Sequence, residues 1–239
     1  MLVRFSHQLS PSQLVMPGPI DPPAVIPRSR MIDKPADGQD DVRWGSYNNT
    51  SYFHAFLHSG THIDVNFHVD PEGSSLGAFD IEDFVADRPV LLEIPKGDME
   101  EIACEDLRSH EAELREADFL FVHTGYSRHR SSDPQRYLAK QPSFSVDAAE
   151  YLMSTFDLKG VCVDLIGIEN IGRAKTLEPQ FPVHKAFLCS GRNFYLVEDA
   201  AVDRLVGKKL QRSYAIPLLM PGAEGMMITG FADVGEKPA

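Results

Sequence analysis

Long hydrophobic runs are missing. No stretch of eighteen apolar residues occurs in the 239-residue chain, so no transmembrane helix is expected. The first ten residues, M-L-V-R-F-S-H-Q-L-S, lack the long apolar core of a signal peptide. Cysteine is scarce: Cys104, Cys162 and Cys189 fit no CxxC spacing, which excludes a disulfide framework or thiolate zinc knuckle and fits a reducing compartment. A cytoplasmic location is therefore expected. Dense basic runs are also absent. The stretch Arg128-His129-Arg130 is too short, and the net charge is −12, so a nucleic-acid partner is not expected. Neither an internal repeat nor a low-complexity tract interrupts the chain.

Apolar residues make up 43% of the sequence and charged residues 24%, enough to build a globular core. Pro17, Pro19, Pro22, Pro23, Pro27 and Pro35 crowd residues 17–38. Each fixes φ and removes a donor, so this segment reads as an extended arm or long loop. No linker divides the remainder, and one domain over residues 1–239 is expected.

Histidine is concentrated. The chain has nine, and four of them, His54, His58, His62 and His68, lie in a fifteen-residue window. From Phe53 onward apolar residues fall on odd positions: Phe53, Ala55, Leu57, Ile63, Val65, Phe67 and Val69. His58, His62, Asp64 and His68 fall on even ones. A period of two predicts a strand with one apolar and one polar face, broken near Gly60. Further strands are predicted at 90–94, 119–125, 160–167, 194–198 and 216–222. A helix is predicted from Ser145, a suitable N-cap, to Phe156, and residues 199–208 are compatible with another. Strands alternating with few helices indicate a mixed α/β protein.

A lone histidine is ordinarily a polar residue without special chemistry, and His54 is assigned no role. His58, His62 and Asp64 together supply two nitrogens and one oxygen, a ligand set suited to zinc, manganese or iron. Such a metal lowers the pKa of water toward neutrality. His68, four residues beyond Asp64, is placed to act as a general acid or base. Trp44, Phe53 and Phe56 are candidates to line a pocket.

The run H-S-G-T-H-I-D-V-N-F-H at 58–68 resembles the HxGTHxDxPxH motif of the cyclase-like metal-dependent hydrolases, which include bacterial kynurenine formamidase and isatin hydrolase. S-H-Q-L-S, F-V-H-T-G-Y, G-V-C-V-D and P-G-A-E-G resemble further family segments. Four positions depart: Asn66 stands where the motif has proline, Tyr126 where tryptophan is common, and Gly167 and Glu169 where serine and aspartate often follow.

The resemblance implies a swivelling β/β/α fold with a barrel-like mixed sheet. It also implies a homo-oligomer, dimer or tetramer, often with an exchanged N-terminal arm. It assigns His58, His62 and Asp64 to a first divalent ion, zinc or manganese. His184 in F-P-V-H and Glu198 in L-V-E-D join Asp64 at a second ion where one is present. The expected activity is metal-assisted hydrolysis of a small amide, an aryl formamide or cyclic amide, or of a lactone. A non-haem iron oxygenase with a two-histidine, one-carboxylate site and a non-enzymatic ligand-binding protein are the alternatives.

Overall fold

A computed structural model describes residues 1–10, 23–32 and 47–235. Its centre is a six-stranded mixed sheet in the order Gly225–Met227, His62–Val65, Tyr195–Glu198, Gly160–Val163, Phe119–His123, Pro89–Glu93. His62–Val65 runs antiparallel to both its neighbours, while the four strands from Tyr195–Glu198 outward are parallel. Parallel strands are buried on both faces and read as continuous apolar runs, as F-L-F-V and G-V-C-V do.

The two faces of this sheet carry different partners. Leu120, Val122, Val161, Val163 and Leu196 pack with Leu107, Leu114, Leu152 and Phe187 from helices. The alternate residues Phe119, Phe121, Tyr195 and Val197, with Ile63 and Val65, pack with Phe5, Phe84, Ala232 and Val234. Ala232 and Val234 belong to a four-stranded antiparallel sheet, Leu2–Arg4, Phe231–Gly235, Lys209–Tyr214 and Val85–Ala86, and Phe5 and Phe84 directly adjoin two of its strands. The layers are therefore sheet, sheet, helices, which is the expected β/β/α arrangement. Each fully buried side chain of this size contributes about 1.5–3 kcal/mol.

The proline-rich segment is described only in part. Ala24–Ile32 pairs antiparallel with Tyr47–His54, with a bulge between Pro27 and Ser29; Pro17, Pro19, Pro22, Pro35 and Trp44 lie outside the described residues. Ser145 caps the helix Val146–Thr155 by accepting from Ala148 N, as predicted.

Three expectations are corrected. Residues 199–208 form only a 3-10 turn, Val202–Leu205, and not an α-helix. Asp199 and Gly207 both hold positive φ, which an α-helix does not accommodate. Residues 216–222 are not a strand; only an isolated bridge joins Pro217 to Ile228. Pro217 and Pro221 have no N–H to give a ladder, and Leu218, Leu219 and Met220 face outward. The strand predicted at 160–167 ends at Val163. Among the described residues no helix is long and apolar enough to cross a membrane.

Candidate metal centre

The alternation read from the sequence holds only over His62–Val65. There Ile63 and Val65 enter the core between the sheets, while His62 and Asp64 lie on the opposite face, in a cavity. Before it, Gly60 takes a φ of 66°, a conformation glycine adopts without cost, and the chain turns. After it, Asn66–His68 winds into a 3-10 turn. His58 and His62 are therefore brought together by a turn, with ring centroids 5.1 Å apart. Phe53 and Phe67 are exposed rather than buried, contrary to the alternation, because neither belongs to the strand His62–Val65.

Tertiary pairing completes the cluster. Glu198 stands directly opposite His62 in the antiparallel register, the closest cross-strand relationship a sheet offers. His62 Nε2 lies 3.4 Å from both Asp64 Oδ1 and Glu198 Oε2. His184, on the helix Pro182–Leu188, places Nε2 3.4 Å from Glu198 Oε1 and 3.9 Å from Asp64 Oδ2. His58 Nδ1 is 2.7 Å from Asp64 Oδ1. His68 Nε2 is 4.0 Å from Asp64 Oδ2, and its ring lies 4.5 Å from that of His58. All six residues singled out from the sequence therefore meet around Asp64. Two ligand-like triads share it: His58, Asp64 and His68, and His62, Asp64 and Glu198. This grouping cuts across the expected division into a His58–His62 pair and a His184–Glu198 pair. His54, exposed at the end of its strand, is not among these groups.

Each inner histidine is fixed from behind. His62 Nδ1 donates to Gly60 O at 2.8 Å. His184 Nδ1 lies 2.6 Å from Glu169 Oε1. His58 Nε2 lies 3.2 Å from Glu224 Oε1. Such partners orient an imidazole and raise its basicity as a ligand. Glu169 and Glu224 were not read as site residues. Their segments are visible in the sequence, but nothing local tells that a carboxylate at 224 touches a histidine at 58. The close approach also explains Gly225: a Cβ there would fall 2.7 Å from His58 Cε1 and from Ile63 O.

Electrostatics follows from this packing. Burial disfavours the charge on His58, but the Asp64 carboxylate and then Glu224 outweigh it and push the ring up to about 10. Burial likewise opposes charge on His184, and Glu169, Glu198 and Asp64 push it up to about 10. His62 is raised as well, by Asp64 and Glu198 against burial. Burial would raise the Asp64 carboxyl, yet the three imidazoles of His58, His68 and His62 hold it well below the usual carboxylate range. His68 moves the other way: burial lowers it, and the charges on His58 and His184 add to that.

The donor set fits a divalent cation. Asp64 and Glu198 are both nearly inaccessible, and two buried like charges need compensating positive charge. The imidazole nitrogens facing them are the atoms left inward once the outer nitrogens are engaged. His58, His62, Asp64, His184 and Glu198 would hold the ion or ions. Zinc and manganese both accept this nitrogen and carboxylate set. The cavity over the cluster measures about 180 Å³ and is walled by Phe56, Ile166, Ile171 and Phe181. Phe56 lines it as anticipated; Phe53 does not.

A β/β/α protein with histidines and carboxylates gathered at the strand ends beneath an apolar-walled cavity is the class that fold and site define. Residues 3–170 match the Cyclase family, described as putative cyclase, and the chain belongs to that family. An uncharacterized protein of Haemophilus influenzae is 34% identical over 126 residues, half of this chain and 89% of that one. An isatin hydrolase bound to the product analogue thioisatinate superposes with a TM-score of 0.77 at 21% identity, over 99% of this chain and 92% of the other. Isatin hydrolase A from Labrenzia aggregata gives 0.75 at 21% identity, over 97% and 93%. A potential metal-dependent hydrolase with cyclase activity gives 0.71 at 19% identity, over 97% and 98%. At this level of identity the likenesses establish the fold.

Proposed function

We propose that the chain is a metal-dependent hydrolase acting on a small amide, an aryl formamide or cyclic amide, or on a lactone. The observation that carries this reading is the convergence of four histidines and two carboxylates in one cavity, three of the imidazoles held from behind. The isatin hydrolases among the fold neighbours support it.

A bound divalent cation supplies Lewis acidity for the carbonyl and lowers the pKa of water toward neutrality. The chain's own residues do the rest. Phe56, Ile166 and Phe181 hold the apolar body of the substrate and exclude bulk water. His68 is the least buried imidazole of the cluster, with its side chain 28% exposed, and burial keeps it neutral near pH 7. It accepts a proton from the attacking water at Nε2 and returns it to the leaving nitrogen. With an amide a C–O bond forms, the C–N bond breaks and the amine departs with that proton; with a lactone the acyl C–O bond of the ring breaks and the alkoxide oxygen takes it.

The test is turnover by the full chain loaded with zinc or manganese, on a panel of aryl formamides, cyclic amides and lactones, with and without oxygen. Equal rates without oxygen are expected, with one acid group formed per amine group released from the amides and per hydroxyl group released from the lactones. Dependence on oxygen would indicate the oxygenase alternative, and absence of turnover across the panel a ligand-binding protein. Asp64→Asn is expected to abolish both metal retention and turnover.

A further inference from the structure

The cavity over the cluster is lined on one side by a cation that the hydrolase chemistry does not use. Lys175 lines it together with Phe56, Ile166, Ile171 and Phe181. Among the described residues it is the one lysine or arginine that does so, and no carboxylate lies within ion-pair distance of its ammonium. The contrast with its neighbour is direct: Arg173, two residues earlier, points to Glu101 and pairs with it at 3.0 Å.

Lys175 is itself exposed, so it lines the cavity from the solvent side, and local structure explains why it stands there. Asn170 caps the short helix Ile171–Ala174 by accepting from Arg173 N, and Lys175 continues the αR backbone as its C-cap. Positions four apart share one helix face, so Ile171 and Lys175 reach the cavity together while Arg173 turns away. The same segment is anchored through Glu169 to His184, which ties the placement of Lys175 to that of the cluster. The aromatic walls stand beside the reactive imidazoles: Phe56 is 5.0 Å from the His58 ring, and Phe181 is 5.8 Å from the His184 ring in edge contact.

Asp64 and Glu198 are offset by the imidazoles around them and by an ion they would hold, so a substrate carboxylate lying away from the cluster needs a cation of its own in a chain of net charge −12. We propose that Lys175 recognises a carboxylate on the substrate, so that the natural substrates of this site are anionic amides: an aromatic or other apolar body, held between Phe56 and Phe181, that carries a carboxylate as well as the scissile amide. This rests on the amide-hydrolase reading above and names its substrate class.

The probes are 2-formamidobenzoate and formanilide, which differ only in the carboxylate. Their binding to the manganese-loaded full chain is measured by calorimetry for the wild type, Lys175→Met and Lys175→Arg, and their turnover is assayed in parallel. The wild type is expected to bind 2-formamidobenzoate about three- to tenfold more tightly than formanilide, the range for a partly exposed charge-assisted contact. Lys175→Met should lose that preference while binding formanilide within about twofold of wild type, and Lys175→Arg should keep it. A preference that survives in Lys175→Met belongs to the metal and overturns the proposal, as does equal binding or none. Turnover of both probes without a Lys175-dependent preference keeps the hydrolase reading and removes this one. Lys175-dependent binding without turnover does the reverse.

Discussion

Glu169 Oε1 accepts from two atoms of His184 at once: the ring Nδ1 at 2.6 Å and the backbone nitrogen at 3.0 Å. One carboxylate oxygen thus fixes both the start of a helix and the direction of its imidazole. Glu169 stands where aspartate often occurs in sequences of this type, and here the longer side chain spans the distance.

Glu169→Gln keeps the shape and a hydrogen-bond acceptor but removes the charge behind His184. Metal affinity is expected to fall about 10- to 100-fold, with the circular dichroism spectrum unchanged. Competition against a chelator of known affinity measures the loss. An unchanged affinity in this isosteric variant would leave Glu169 with a purely structural role.

Metal uptake should release protons. Both ring nitrogens of His58 face carboxylates, as do both of His184, so each is imidazolium in the metal-free protein up to about pH 10. A ligand nitrogen must lose its proton to bind metal. Raising the pH toward that value removes the competing proton, so apparent affinity should rise with pH. Two displaced protons give about a hundredfold rise per pH unit. Calorimetry in buffers of different ionisation enthalpy counts the protons directly; a count of zero would contradict the pairing described.

Asn66 occupies the motif's proline position and uses its side chain. Nδ2 donates to Leu188 O at 2.6 Å and Arg192 O at 3.0 Å, and Oδ1 accepts from Phe194 N at 3.3 Å. It thereby ties the turn after His62–Val65 to the loop that leads into Tyr195–Glu198. Asn66→Ala is expected to cost about 2–3 kcal/mol, roughly one per hydrogen bond. Asn66→Pro should cost a similar amount, although the first position of a helical turn accepts proline. Urea unfolding midpoints compare the three proteins; a neutral Asn66→Pro would show that only the backbone matters there.

Asp199 is fully buried and follows Glu198 directly. Its carboxylate receives Arg130 Nε at 2.7 Å, an Arg130 terminal nitrogen at 2.6 Å and Tyr137 Oη at 2.9 Å. Its carbonyl accepts from Thr61 Oγ1 at 2.6 Å. Arg130→Met strands this charge in the interior and is expected to destabilise the fold by about 3–5 kcal/mol. Arg130→Lys should recover only part, because an ammonium does not reproduce the two-point contact. Chemical denaturation reads both.

The local signals in the sequence were those of short, regular backbone. F-L-F-V and G-V-C-V declared buried parallel strands, Ser145 declared a helix start, and the alternation of His62, Ile63, Asp64 and Val65 separated a polar face from a core face. The alternation breaks at Gly60, where the break was expected, and does not hold over 55–58; the readings at 199–208 and 216–222 failed, the first where Asp199 takes a positive φ and the second where Pro217 and Pro221 have no N–H to pair. His58, His62, Asp64 and His68 were legible because they are close in sequence. His184 and Glu198 were legible only through the resemblance of their segments to family segments. What the sequence by itself determined, then, is the identity of the six clustered side chains and the strand that carries two of them. Tertiary structure alone decided which carboxylate stands behind which imidazole and which cation lines the cavity. Strand Gly225–Met227 pairs with His62–Val65 and so brings Glu224 to His58, and the turn of helix after Asn170 sets Lys175 beside the cavity. A lone glutamate or lysine carries no periodicity or motif of its own; its role is set by which distant strand or helix the packing of the core places beside it.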